Sequence, residues 1–434
     1  MLLHYFADGM GNVQQPGLVR AIGRWTLAGL MLNSIIGSGI FGLPSVVAGY
    51  LGKASPWAYL VAAAGVGLVM GCFAEVASRF REAGGVYLYA REAFGRFAGI
   101  QMAWISWLVR VTAAAANANL FVIYLAGFWP AVAQPIPRLL ALSLLIGALA
   151  YVNYRGVRAG AQMSNVFIVS KLVPLSLFAL VGLLMLRANP VAAPTFESPG
   201  GWLDAVLVLV FAYGGFEGAL FPVSEAKDPQ RDTPCALFVA LAVTAALYTS
   251  IQVVVLGALA SPETAERPLA AAAAQWLGPA GAALMSVAAL VSVYGYLSAQ
   301  ILNAPRLTYA LAERKDFPQA FATVHPRFRT PHISVIAFAL LVWALAAAGS
   351  FKWNVTLSAV ARLSTFVLTC AAVPVLRRKQ PGGAAFRIPG GMLIPGLGIA
   401  FSLGLVTRMG WGELVIVGVT AGCALLNWLW ARRR

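Results

Sequence analysis

Apolar residues in this chain gather into long stretches, separated by short polar segments in which basic residues cluster. A helix that crosses a bilayer needs roughly 20 apolar residues. Twelve runs approach or exceed that length: 25–50, 57–78, 97–129, 138–154, 162–186, 202–222, 236–260, 280–303, 332–350, 353–376, 391–407 and 411–431. The eleventh is short and rich in Gly and Pro. The pattern predicts an all-α membrane protein of twelve transmembrane helices.

Composition supports this reading. Of 434 residues, 60% are hydrophobic and only 11% are charged, against about 25% charged in an ordinary soluble domain. So few charges would not cover a soluble surface of this size. A soluble enzyme, a disordered chain and a disulfide scaffold are excluded. Cys72, Cys235, Cys370 and Cys423 lie in or beside apolar runs with no CxxC pair or metal-ligand spacing, so inert thiols and no bound metal are expected. The first 19 residues lack an apolar core ahead of a cleavage site, so no cleaved signal peptide is expected.

The net charge of +16 raises the possibility of nucleic-acid binding, and its distribution argues against it. Sorted by loop, 22 Lys and Arg fall on the side of the two termini. Six (Lys53, Arg138, Arg187, Arg267, Lys352 and Arg408) fall opposite. The positive-inside rule then places both termini in the cytoplasm of a cell inner (plasma) membrane protein. Membrane lipids are expected partners and nucleic acid is not. The remaining three, Arg110, Lys171 and Arg362, lie inside apolar runs, where a charge is costly and should have a reason.

Two runs are interrupted. The first contains Ile36-Gly37-Ser38-Gly39-Ile40-Phe41-Gly42-Leu43-Pro44, and the sixth contains Phe211-Ala212-Tyr213-Gly214-Gly215-Phe216-Glu217-Gly218-Ala219-Leu220-Phe221-Pro222. Gly and Pro are poor helix formers, and backbone that unwinds at membrane depth must line a cavity enclosed by protein. Gly37 and Gly215 are 178 residues apart, as are Pro44 and Pro222. Five runs precede the second copy, and an odd number inverts its topology. Interrupted spans at corresponding places in two halves point to a transporter binding site. Close helix packing through small residues is the alternative.

Gly37-Ser38-Gly39-Ile40-Phe41 resembles the first-helix signature of the amino acid–polyamine–organocation (APC) transporters. Three further stretches, Glu75 to Phe94, Phe211 to Pro234 and Asn303 to Pro331, resemble the same family in the expected order. The resemblance implies a five-plus-five inverted repeat of the LeuT type with helices 1 and 6 broken. Residues 1–24 would form a cytoplasmic tail, 25–186 the first repeat, 202–376 the second, 391–431 two extra C-terminal helices and 432–434 a short tail.

The resemblance also implies a site. The α-carboxylate of an amino acid would meet amides near Gly37, Ser38, Gly39 and Ile40, where a helix N-terminus attracts anions. The α-ammonium would meet carbonyls near Ser34, Ile35, Phe211 and Ala212, beside Gly214 and Gly215. Phe211 matches an aromatic gate, and Glu217 an acidic residue of the inner gate or, alternatively, a cap for the second half-helix. Lys171 matches a lysine that replaces sodium in several members; it would carry a proton or brace span five against span one. Arg110 and Arg362 resemble an arginine pair that faces acidic substrates, and both are candidates for selectivity.

Other polar residues have structural readings. Glu75 and Arg79 are one turn apart and can pair. Asn117, Asn119, Ser292, Tyr294 and Ser298 could line a cavity or bond between helices. The functional expectation is a secondary active amino acid transporter, not an enzyme, with no cofactor. Protons or an exchanged amino acid would drive it, independently of sodium. A partner subunit is left open. An amino acid channel and a transporter-like nutrient sensor are the alternatives.

Overall fold

The computed structural model describes residues 23–80, 84–156, 161–186, 199–220 and 228–432. Among them are fifteen α-helices and no strand. Each of the twelve apolar runs is mostly helical where described; Phe221 and Pro222 of the sixth lie outside the described residues. Eight helical stretches are long and apolar enough to cross a membrane, and Val169–Met185, His332–Ala348 and Leu393–Val406 are shorter apolar helices.

The first run is two helices, α1 (Arg24–Ile35) and α2 (Gly39–Leu51), and the sixth is α8 (Pro199–Ala212) and α9 (Phe216–Ala219). The second to fifth runs are α3 (Ser55–Ala77), α5 (Arg96–Leu125), α6 (Pro135–Arg155) and α7 (Ala161–Met185). The seventh to twelfth are α10 (Pro229–Ala258), α11 (Pro268–Glu313), α12 (His332–Ala348), α13 (Phe351–Lys379), α14 (Leu393–Val406) and α15 (Trp411–Arg432).

Two features differ from the apolar pattern. The connection after α3 holds a further helix, α4 (Gly85–Phe94). It is short, with Gly85 to Ala90 and Ala93 buried and Glu92 exposed, so a search for long apolar runs passes over it. Helix α11 has 46 residues instead of the 24 or so of its run. At 1.5 Å per residue it would be about 69 Å long if straight, more than twice a hydrocarbon core of about 30 Å. It kinks at Gly278, whose positive φ of 59° is followed by Pro279.

The helices pack in two neighbourhoods. Helix α1 lies on α10, α2 on α8, and α3 on both α8 and α10; α5 lies against α11, α12, α13 and α15. Helix α13 touches both groups, since it also meets α3 and α8. Outward faces stay apolar, as at Leu144, Leu184, Leu426 and Trp411, which are all exposed.

Polar knots fasten the ends of these helices. The fully buried Glu75 carboxylate takes Arg377 in a fork, Nε at 2.7 Å and Nη2 at 2.6 Å, and also Arg79 Nη2 at 3.3 Å. Asp316, just past α11, accepts from the Tyr87 hydroxyl, from Arg91 Nη1 at 2.9 Å and from Arg96 Nε at 2.6 Å. Burial, and then the Asp316 carboxylate, hold the Tyr87 phenol above its ordinary pKa, so it stays a donor. Asn119 donates to the Gly349 carbonyl at 3.2 Å and accepts from Arg138 at 2.8 Å, so it bonds between helices.

Candidate functional site

Helix α1 stops because Ile36 turns to an extended conformation (φ −74°, ψ 95°). The ladder of α2 begins only with the Phe41 and Gly42 amides, each 3.1 Å from the Ser38 carbonyl. Among the described residues, no backbone carbonyl accepts from the amides of Gly37, Ser38, Gly39 or Ile40. These are the donors a helix N-terminus leaves open, at the positive end of its dipole. Helix α8 stops at Ala212, and Gly215 takes a left-handed φ of 105° before α9. Glycine is required at Gly215 twice over. An L side chain is disfavoured at that φ, and a Cβ would overlap the Ser34 carbonyl.

The two breaks meet. Ser34 Oγ donates to the Gly215 carbonyl at 2.6 Å. Gly39 lies so close to Ala212 that an added Cβ would be 3.0 Å from its Cα. Between the breaks is a small cavity of about 10 Å³, room for about one water. It is lined by Ile35, Gly37, Ser38, Gly39, Phe211, Gly214 and Arg362, and by Asn117 and Tyr296. Two polar atoms on this lining, Ser38 Oγ and Asn117 Oδ1, are buried with no partner among the described residues. Buried polar atoms are nearly always satisfied, so a water with donors to offer fits here.

The charged residues sort differently. Lys171 is 2% exposed and donates from Nζ to the Ile36 carbonyl at 3.0 Å and the Asn33 carbonyl at 3.3 Å. It therefore holds the freed end of α1, behind the cavity lining. Glu217 accepts from the Gly215 amide at 2.8 Å, which caps the break, and its other oxygen lies 3.0 Å from Arg362 Nε. Arg362 Nη1 reaches the Val210 and Phe211 carbonyls at 3.3 and 3.4 Å. Arg110 Nη1 is 3.4 Å from Gln300 Oε1, and its guanidinium approaches Gly218. Arg110 is not among the residues that line the cavity, and neither are Ser34, Ile40, Ala212 and Gly215.

Tyr296 was not singled out by sequence. Tyr294, two residues earlier, is 42% exposed and faces outward. The signal was a period of four: Ser292, Tyr296 and Gln300 share one face of α11, and Gln300 donates to the Tyr296 hydroxyl at 2.7 Å. Asn117 and Asn119, likewise two apart, divide into a cavity residue and an interhelical one.

Fold and cavity together describe a multi-pass helical membrane protein whose buried cavity joins the broken ends of two helices. The chain belongs to the amino acid permease family, whose model matches residues 22–421. It is similar to the branched-chain amino acid permease BcaP of Bacillus subtilis (strain 168), 25% identical over 92% of this chain and 90% of the relative. It is also similar to the serine/threonine exchanger SteT of the same organism, 28% identical over 94% and 96%. A methylthioribose transporter of that organism is 27% identical over 88% and 87%. These relatives move small molecules across membranes and are not enzymes.

Proposed function

We propose that this protein is a secondary active amino acid transporter that works by alternating access. The observation that carries this reading is the cavity itself: open amides of α2 on one side, the carbonyl end of α8 on the other, and breaks packed so closely that a Cβ on Gly39 would lie 3.0 Å from Ala212. A zwitterion offers a carboxylate to the first and an ammonium to the second, so oriented dipoles can bind it with little need for ionised side chains. Gly37, Ser38, Gly39 and Ile40 take the carboxylate in this reading, and Ser34, Ile35, Phe211 and Ala212 the ammonium. Phe211 closes over the substrate, and Glu217 holds the second break. The names of the relatives cover branched-chain amino acids, serine and threonine, and methylthioribose, so family membership leaves the substrate open.

The proposed architecture is twelve spans in a five-plus-five inverted repeat of the LeuT type, with two helices appended. Both termini are cytoplasmic, in the cell inner membrane. The Gly/Pro interruptions 178 residues apart and the distribution of basic residues support it. Transport is sodium-independent and coupled to protons or to an exchanged amino acid. Lys171 supports this, because its amine already occupies the α1 carbonyls that a sodium ion would need.

Uptake of radiolabelled amino acids into proteoliposomes tests the reading. Saturable uptake is expected under a proton gradient or with an internal amino acid. Uptake driven by a sodium gradient alone would refute sodium independence, and flux that grows without saturation would replace the carrier with a channel.

A further inference from the structure

We propose that Arg362 is a tethered competitor for the substrate: in the empty cavity its guanidinium holds the carbonyl end of α8 that the substrate's ammonium must take. The inference rests on the reading of the cavity as an amino acid site and adds to it how affinity there is set.

Three observations meet at this residue. First, Arg362 is 3% exposed and lines the cavity together with Phe211 and Gly214. A buried guanidinium must direct its five donors at acceptors. Second, Nη1 points to the Val210 and Phe211 carbonyls at 3.3 and 3.4 Å, where α8 ends and its dipole is negative. Both bonds are long, so the hold is weak enough to give way. Third, the guanidinium lies directly over Gly214, where a Cβ would overlap it. Residue 214 needs no positive φ, so its lack of a side chain serves to make room for the arginine.

Glu217 gives the arginine somewhere to go. Its carboxylate is 3.0 Å from Arg362 Nε, close enough for strong attraction. Yet that Nε–H makes no aligned hydrogen bond. The pair is therefore held by charge more than by direction, and the guanidinium can pivot about it without losing its counter-charge. A substrate ammonium and Nη1 cannot share one position beside the same oxygens. When the ammonium arrives, Arg362 swings towards Glu217; when it leaves, Arg362 returns.

Such competition weakens apparent affinity by the fraction of molecules with the subsite free. If the arginine holds the carbonyls in about nine molecules of ten, Kd is raised about tenfold. Only ligands with an ammonium are affected. A carboxylic acid lacking the amino group does not contest the position.

The test uses the full-length protein in detergent. The twenty protein amino acids are screened by thermal shift, and the best binder and its deamino analogue are then titrated. Gly214→Ala evicts the guanidinium and keeps its charge, while Arg362→Gln removes it. Both variants are expected to bind the amino acid about tenfold more tightly and to raise its preference over the deamino analogue by the same factor. Arg362→Gln leaves Glu217 without its ion pair; where that variant fails to fold, Gly214→Ala decides alone. An unchanged preference in Gly214→Ala overturns the proposal. So does loss of both ligands in a variant that melts like the parent, since Arg362 would then be a ligand for the carboxylate. If no amino acid shifts the parent protein, the transporter reading itself falls.

Discussion

Replacement of Glu75 by glutamine tests a buried polar knot. The Glu75 carboxylate accepts four hydrogen bonds: two from Arg377 at 2.6 and 2.7 Å, one from Arg79 at 3.3 Å and one from the Ile388 amide at 3.0 Å. One buried side chain thereby ties α3 to α13 and to the segment ahead of α14. Glutamine keeps the volume but turns an acceptor oxygen into a donor aimed at a guanidinium. Two arginines then lose their only carboxylate among the described residues. Breaking a buried ion pair from one side costs about 3–5 kcal/mol. Arg377 retains the Gly391 carbonyl at 2.8 Å, and Arg79 retains the Leu376 and Gln380 carbonyls at 3.2 and 3.0 Å. These fallback acceptors favour the lower end, about 3 kcal/mol. At roughly 2 °C per kcal/mol for a long chain, the melting temperature falls by about 6 °C. Tryptophan fluorescence during thermal unfolding in detergent reads this directly. A double-mutant cycle with Arg377→Gln should be strongly non-additive, because the second substitution removes a charge already stranded. A Glu75→Gln protein that melts within about 1 °C of the parent, or a strictly additive cycle, would refute the reasoning.

Gly215→Ala should abolish saturable uptake in the proteoliposome assay. The left-handed φ of 105° costs an L residue about 1–2 kcal/mol, and the methyl group would also meet the Ser34 backbone, which has no flexible end to move. Asp316→Asn removes the carboxylate on which Arg91, Arg96 and Tyr87 converge. Hydrogen exchange should accelerate by roughly tenfold across residues 85–94 if that helix loses about 1.4 kcal/mol of local stability, while amides at the centre of α13 stay protected.

Legibility from sequence followed the range of the physics. The breaks at Gly37–Ser38 and Gly214–Gly215 could be read from sequence because helix interruption is local: several glycines within one apolar run lower helix propensity wherever the rest of the chain lies. Helix α4 could not be found by apolar length, since it has only ten residues, Arg91 and Glu92 among them. The i,i+4 pair of Glu75 and Arg79 was legible, but the stronger partner, Arg377, is 302 residues away. Nothing within a local window relates the two.

The sequence by itself determined that this chain is a multi-pass helical membrane protein and where two of its helices break. Those properties follow from transfer free energy and backbone propensity, which add up residue by residue along the chain. Tertiary structure alone decided which polar residues share the cavity. Tyr296 and Asn117 face it while Tyr294 and Asn119 do not, although each pair is separated by only two positions. It also decided that Arg362 meets Glu217 and the end of α8, whereas Arg110 meets Gln300. Two positions turn a helical side chain by about 200°, and the facing of α5, α11 and α13 is set by how they pack on one another. Only the assembled bundle settles that Arg362, and not Arg110 or Lys171, lines the cavity.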